Sequence, residues 1–167
     1  VDVGAGAWEV AERLDPAGDL TPRKAREMAV SAVSCAQAGM ARAALELTVA
    51  YTKERQQFGQ PIGSFQAVQH HCADMFVAVE TCRSAAWYAA YCCDHLPEER
   101  AEATAIAGTW CPEAAFSVAS VAIQVHGGIG FTSEHDCHLF FKRAELSRRL
   151  FGGFEAQLQV LAPMAGL

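Results

Sequence analysis

The run from Thr21 to Gln57, TPRKAREMAVSAVSCAQAGMARAALELTVAYTKERQQ, decides the fold class. Thr21 offers a hydroxyl N-cap, and Pro22 fits the first helical position, where its missing N–H is not needed. No further proline follows and only Gly39 interrupts, so roughly 35 residues read as one long helix. Phe58-Gly59-Gln60-Pro61-Ile62-Gly63 stops it. Ser64 is placed to cap a second helix, whose apolar positions Phe65, Val68, Cys72, Met75, Phe76, Val79, Cys82 and Ala86 recur at three- and four-residue steps. That helix is expected to run to about Leu96.

Pro97-Glu98-Glu99 reads as the opening of a third helix, with proline and acids in its first turn, reaching about Val125. Pro112 lies inside it and predicts a kink near Thr109–Cys111. Gly127-Gly128-Ile129-Gly130 ends it. A short helix from Glu134 to about Arg148 and a last one from about Phe154 to Leu161 follow, separated by Gly152-Gly153. Three long helices with short connections alternate in direction, so the fold expected is all-α: an up-and-down four-helix bundle with a short additional C-terminal helix. Residues 1–20, with Gly4, Gly6, Pro16 and Gly18 around one amphipathic segment, Ala7–Leu14, read as a lead-in linker from a missing upstream domain. Residues 21–167 form the bundle. A first residue of Val1 instead of Met suits a piece of a longer polypeptide.

Composition agrees and narrows the function. The chain has 167 residues, 51% apolar and 19% charged, which suits one packed domain and not a disordered tail. Thirteen Lys and Arg stand against nineteen Asp and Glu, so nucleic acid is not the expected partner. Seven cysteines, an odd number, read as small buried side chains in a reducing cytoplasm instead of a disulfide framework. Ala114–Ser133 lacks Asp, Glu, Lys and Arg, but its Ser117, Ser120, Gln124, His126 and glycines argue against a membrane span.

Several groups could carry chemistry. The glycines at 127, 128 and 130 follow a helical pattern instead of a strand and lack the last spaced glycine of a dinucleotide loop, so a Rossmann site is excluded. A left-handed helix stop accounts for them, and a double glycine also lets a flat ligand approach the backbone. His135, Cys137 and His138, with His126 nearby and His70-His71-Cys72 elsewhere, supply nitrogen and sulfur, but no second pair stands at zinc-site spacing. No metal is expected; these read as ordinary helix-face residues. Lys142-Arg143 and Arg148-Arg149 read as a solvated face complementing the helix dipole. The most informative stretch is Lys53–Pro61. There Arg55, one turn before a glycine turn and beside Phe58, can offer a planar fork to a phosphate while a ring stacks on a heterocycle. The same pair is also what a surface arginine beside a core phenylalanine looks like.

Taken together, Arg55-Gln56-Gln57-Phe58-Gly59-Gln60-Pro61-Ile62-Gly63-Ser64-Phe65-Gln66, the following Cys72-Ala73-Asp74-Met75, and Gln124-Val125-His126-Gly127-Gly128-Ile129-Gly130-Phe131-Thr132-Ser133-Glu134-His135-Asp136 resemble the C-terminal helical domain of acyl-CoA dehydrogenases. The His-Gly-Gly-Ile-Gly-Phe-Thr run resembles the actinobacterial type. The likeness covers roughly Leu20 to Leu161. It implies an FAD-dependent oxidation of the Cα–Cβ bond of an acyl-CoA, and a bundle that builds subunit contacts and reaches into a neighbour's flavin site. Carried over by motif, Arg55 contacts the FAD pyrophosphate, Phe58 packs on the cofactor with Gln66 nearby, and Gln124, Gly127 and Gly128 line the adenosine-side approach. The fork and the bare backbone suit the same cofactor on physical grounds.

The resemblance breaks where the α-proton is removed. The family's carboxylate stands either early on the first long helix or before the glycine of a Glu-Gly-Thr segment; the matching positions here are Ala29 and Phe151. Glu27 points roughly 200° away from Ala29 around a helix. Glu155, one turn beyond Phe151, is the remaining candidate. The segment's threonine is Gly153, and Glu155 stands where a glutamine is usual. No catalytic residue is therefore expected in this chain. The leading expectation is a base-deficient subunit in a homo- or hetero-oligomer of acyl-CoA dehydrogenase subunits, completing a neighbour's flavin site. Activity through Glu155 or through missing sequence is the second. A non-catalytic helical oligomerisation scaffold that has lost flavin binding is the third. At this length the chain lacks the family's middle domain, so alone it is expected to be colourless and to self-associate through an apolar surface.

Overall fold

The computed structural model describes residues 20–166, so the lead-in expected over residues 1–20 lies outside the described residues apart from Leu20. Helices α1 (Pro22–Glu54), α2 (Gln66–His95) and α3 (Arg100–His126) pack on one another, and α4 (Cys137–Ser147) and α5 (Gly153–Leu161) both pack on α3. Short connections make the three long helices alternate in direction. The all-α bundle follows the pattern of the sequence closely. Thr21 Oγ1 accepts the Lys24 N–H at 3.2 Å with Pro22 at the start of α1, as the hydroxyl-proline pair predicts.

The helix entrances differ from expectation in three places. Ser64 does not cap α2. Ile62–Ser64 form a 3-10 turn, Ser64 Oγ donates to the Pro61 carbonyl at 2.6 Å, and Phe65 occupies the N-cap without a side-chain bond. Tertiary packing sets that turn, since a Cβ on Gly63 would lie 3.0 Å from the Thr52 carbonyl oxygen of α1. Pro97 does not open α3 either: residues 97–99 turn, with the Glu99 N–H on the Leu96 carbonyl at 3.0 Å, and the helix begins at Arg100. The short fourth helix begins at Cys137, later than Glu134, because residues 127–131 continue past α3 as a 3-10 turn. Between α1 and α2 the stop is more ordered than a simple breaker. Strands β1 (Gln56–Gln57) and β2 (Gln60–Pro61) pair antiparallel, Gln56 opposite Pro61 and Gln57 opposite Gln60. Phe58 and Gly59 between them both have positive φ, 52° and 79°, as a two-residue hairpin turn of the right twist requires.

The core is built from small side chains. One cluster joins Ala41, Ala44, Met75, Val79, Val118, Ala122 and Cys137; the other joins Ala38, Cys82, Ala86, Ala89, Cys92, Ala107 and Cys111. Of the apolar positions expected to face inward on α2, Met75, Val79, Cys82 and Ala86 do so, but Phe76 points out and is 57% exposed. The helices approach closely where Gly108 of α3 meets Val30 of α1 and Gln157 of α5. That glycine lies four residues before Pro112, and α3 continues unbroken through the proline. With the 3-10 turn after it, α3 has the length and apolar character of a membrane span. Its place at the centre of the bundle, with Ala103, Ala107, Cys111, Ala115, Val118 and Ala122 buried, accounts for that composition.

Candidate functional site

Arg55 follows α1 directly, its N–H closing the helix on the Tyr51 carbonyl at 2.9 Å. The side chain is exposed and has no ion pair among the described residues. Phe58, at the tip of the hairpin, is 92% exposed, with only an edge contact to Phe65, 6.1 Å between ring centres. A left-handed backbone on a bulky residue is uncommon and strained, and here it thrusts an aromatic ring into solvent. The reading of Phe58 as a core residue beside Arg55 is therefore excluded. Gln66 is exposed at the first position of α2.

Gln124, Gly127 and Gly128 are exposed at the end of α3. Gly127 takes φ 64° and ψ −139° to cap the helix, which a side chain disfavours. A Cβ on Gly127 or Gly128 would meet nothing within 4 Å, whereas one on Gly130 would lie 2.9 Å from the Ile123 carbonyl oxygen. Gly130 is small because the protein packs there; the bareness of Gly127 and Gly128 faces open space. Tyr51, one turn before Arg55, joins the two motifs at one end of the bundle. Its ring stacks on His126 with centres 4.2 Å apart, and its hydroxyl donates to the His126 carbonyl at 3.4 Å. An unpaired guanidinium, a free ring and uncovered backbone suit a diphosphate joined to flat heterocycles.

The sequence model of the acyl-CoA dehydrogenase C-terminal domain matches residues 25–165. The chain belongs to the acyl-CoA dehydrogenase family. It is 44% identical over 125 residues to acyl-CoA dehydrogenase IpdE2 of Mycolicibacterium smegmatis, covering 75% of this chain and 38% of that protein. Among solved structures, PigA with FAD and proline superposes with a TM-score of 0.80 at 29% identity, over 85% of this chain and 37% of that one. A chain of the ChsE4–ChsE5 complex from Mycobacterium tuberculosis does so with a TM-score of 0.73 at 31% identity, over 84% and 38%. The chain thus spans well under half the length of the relatives it matches, and corresponds to the helical C-terminal part of this flavoprotein family.

Neither position that the resemblance assigns to a carboxylate holds one. Ala29 is half-buried on α1, and Phe151 sits at φ 53° between α4 and α5, its carbonyl accepting Arg26 Nη2 at 2.8 Å. Glu27 is engaged elsewhere: Oε1 accepts from Arg23 at 2.8 Å and Oε2 from Arg100 at 2.7 Å. Burial raises its pKa, but the Arg100 and Arg23 hydrogen bonds and charges outweigh this and hold it below the ordinary carboxylate value. Glu155 is exposed in the first turn of α5. Between α1 and α4 runs an apolar groove of about 540 Å³ lined by Val33, Gln37, Met40, Leu139, Phe140 and Leu150 among others. Gln37 is only 2% exposed, and neither of its amide atoms has a hydrogen-bond partner. Sequence reasoning missed it. The available signal was a lone amide in the small-residue run Ala32–Ala38 of a core-facing helix.

The histidines also depart from the helix-face reading. His126 is 3% exposed and Cys137 fully buried; together with the half-buried His135 they place one donor atom each within 4.8 Å of one another. His138 stays outside, its Nδ1 donating to the His135 carbonyl at 2.7 Å, and His70 and His71 are exposed on α2. Arg148 is not simply solvated. It forks onto Glu113 of α3 with two bonds of 2.9 Å and lies over the Phe116 ring, so it ties α4 to α3.

Proposed function

We propose that the parent protein is an FAD-dependent acyl-CoA dehydrogenase acting on an acyl-CoA thioester, and that this chain is its C-terminal domain, completing a flavin site across a subunit interface. The observation that carries this reading is the position of the unpaired Arg55, the free Phe58 and the bare Gly127-Gly128 backbone at one end of the bundle. Arg55 holds the FAD diphosphate by a charge-assisted fork, Phe58 with Gln66 packs on the cofactor, and Gln124, Gly127 and Gly128 admit the adenosine side. When bound, FAD supplies a hydride acceptor for the Cα–Cβ oxidation. The groove between α1 and α4 offers the apolar wall for the acyl chain.

Removal of the α-proton needs a positioned carboxylate. Ala29 and Phe151 supply none, Glu27 is neutralised by two arginines, and Glu155 lies exposed one turn beyond Phe151. We therefore propose a base-deficient subunit in a cytoplasmic homo- or hetero-oligomer of acyl-CoA dehydrogenase subunits. The ChsE4–ChsE5 complex is a relative that contains two differently named proteins.

The test is FAD retention by the parent protein expressed alone and with a carboxylate-bearing family subunit. Retention only in the pair, weakened at least about tenfold by Arg55→Ala, is the expected result, since hydrogen bonds to charged groups contribute about 1.5–3 kcal/mol. If Arg55→Ala leaves an assembled, cofactor-free oligomer unchanged, the chain is an oligomerisation scaffold instead. Loss of turnover in Glu155→Gln with flavin retained would place the base in this subunit.

A further inference from the structure

We propose that His126, His135 and Cys137 form a binding site for a zinc-class divalent transition-metal ion that pins the end of α3 to the start of α4. The three residues come from the last position of α3, the loop after the glycine turn, and the first position of α4. Their donor atoms all lie within 4.8 Å of one another. A tetrahedral zinc site with Zn–N near 2.0–2.1 Å and Zn–S near 2.3 Å separates its ligand atoms by ~3.3–3.6 Å, so the cluster needs to close by roughly 1 Å. The connecting residues 127–136 are a 3-10 turn and loop, which can absorb such a movement more readily than a helix.

His126 already presents its ligand atom. His126 Nδ1 lies 2.7 Å from the Ala122 carbonyl oxygen; a carbonyl only accepts, so Nδ1 carries the proton. In the neutral ring this leaves a lone pair on Nε2, a buried atom with no hydrogen-bond partner. An uncompensated polar atom in the core is costly, and a metal would satisfy it. The Nδ1–H to carbonyl bond is also the outer contact that orients a metal-binding histidine. Tyr51 stacks on a face of the His126 ring, centres 4.2 Å apart. His135 lies against His126, ring centres 4.4 Å apart, and its Nδ1 accepts only a long 3.3 Å bond from the Cys137 N–H.

Cys137 supplies the sulfur that distinguishes this set from a chance histidine pair. On binding, an S–metal bond forms and the thiol proton passes to solvent, so one proton is released and no electron moves. Two neutral imidazoles and one thiolate leave a fourth position, which water reaches past the half-buried His135. A borderline ion such as zinc suits a nitrogen and sulfur set of this kind better than magnesium or calcium, which take oxygen ligands. The occupied site would hold the Gly127-Gly128 turn at both ends.

The test uses the 167-residue chain without flavin, so its result is independent of the proposed dehydrogenase site. Zinc is measured by equilibrium dialysis with metal analysis, and cobalt(II) serves as the spectroscopic probe. The expected result is one ion per chain, a thiolate-to-cobalt charge-transfer band that Cys137→Ser abolishes, and affinity weakened at least about tenfold by His135→Ala, while His138→Ala binds as the unaltered chain does. Because Cys137 is a core residue, its variant is checked for helix content, and His135→Ala decides if it misfolds. Absence of stoichiometric zinc, a cobalt spectrum without the thiolate band, or zinc affinity unmoved by His135→Ala overturns the proposal.

Discussion

Two neighbouring glycines show how one atom separates a folding role from a binding role. Gly127 has a positive φ, so Gly127→Ala is expected to destabilise the protein by about 1–3 kcal/mol through backbone strain. Gly128 has no such constraint and faces open space, so Gly128→Ala should change stability by less than about 0.5 kcal/mol. If the flavin approaches this backbone, Gly128→Ala nonetheless weakens FAD retention in the assembled parent protein. Denaturant midpoints and flavin absorbance of the two variants, measured side by side, check both statements. Phe58 belongs to the same scale: its strained backbone and exposed ring make sense when a partner surface covers them.

Helix contacts make different demands. At the crossing of α1 and α3, a Cβ on Gly108 would sit 2.7 Å from Val30 Cγ1 and 3.1 Å from Gln157. Gly108→Ala is expected to cost about 1–3 kcal/mol by overpacking, with partial recovery in the double variant Gly108→Ala, Val30→Ala. Urea unfolding midpoints of the three proteins measure that coupling. The same pair of helices is bridged by Glu27 and Arg100. The folded-state pKa of Glu27 is depressed below its usual 4.5, so the unfolded chain binds more protons in the interval between the two values. The pair's stabilisation is complete above pH 4.5 and is lost as pH falls through the depressed folded value. Glu27→Gln should lower stability at pH 7 by about 1 kcal/mol or more and flatten this part of the acid limb, as read from thermal midpoints across pH 3–7.

For the molecule as a whole, the notable surface is apolar. Phe76, Trp87 and Tyr91 lie within an arc of roughly 60° on α2 by helical geometry, and they are 57%, 63% and 51% exposed. Arg83 lies over the Trp87 ring, 4.9 Å from its centre. An exposed aromatic face of this kind suits a contact with another subunit or domain. The isolated chain is expected to sediment as a dimer or larger species at micromolar concentration, and the double variant Trp87→Glu, Tyr91→Glu to shift it toward monomer with unchanged helix content. Sedimentation velocity separates these outcomes.

The bundle was legible in the linear order of residues because its causes are local and periodic: the Thr21-Pro22 start, the glycine stops, and apolar steps of three and four. The flavin-family motifs were legible for a related reason, since Arg55 to Gln66 and Gln124 to Asp136 are contiguous runs. Helix entrances at Ser64 and Pro97 were not, because contacts with α1 and turn hydrogen bonds set them and a local cap preference could not. Spacing likewise hid the grouping of His126, His135 and Cys137, the burial of Gln37 and the Glu113 partner of Arg148. Their neighbours are fixed by how helices far apart in sequence cross, and that depends on the summed packing of small core side chains, not on any one segment's periodicity.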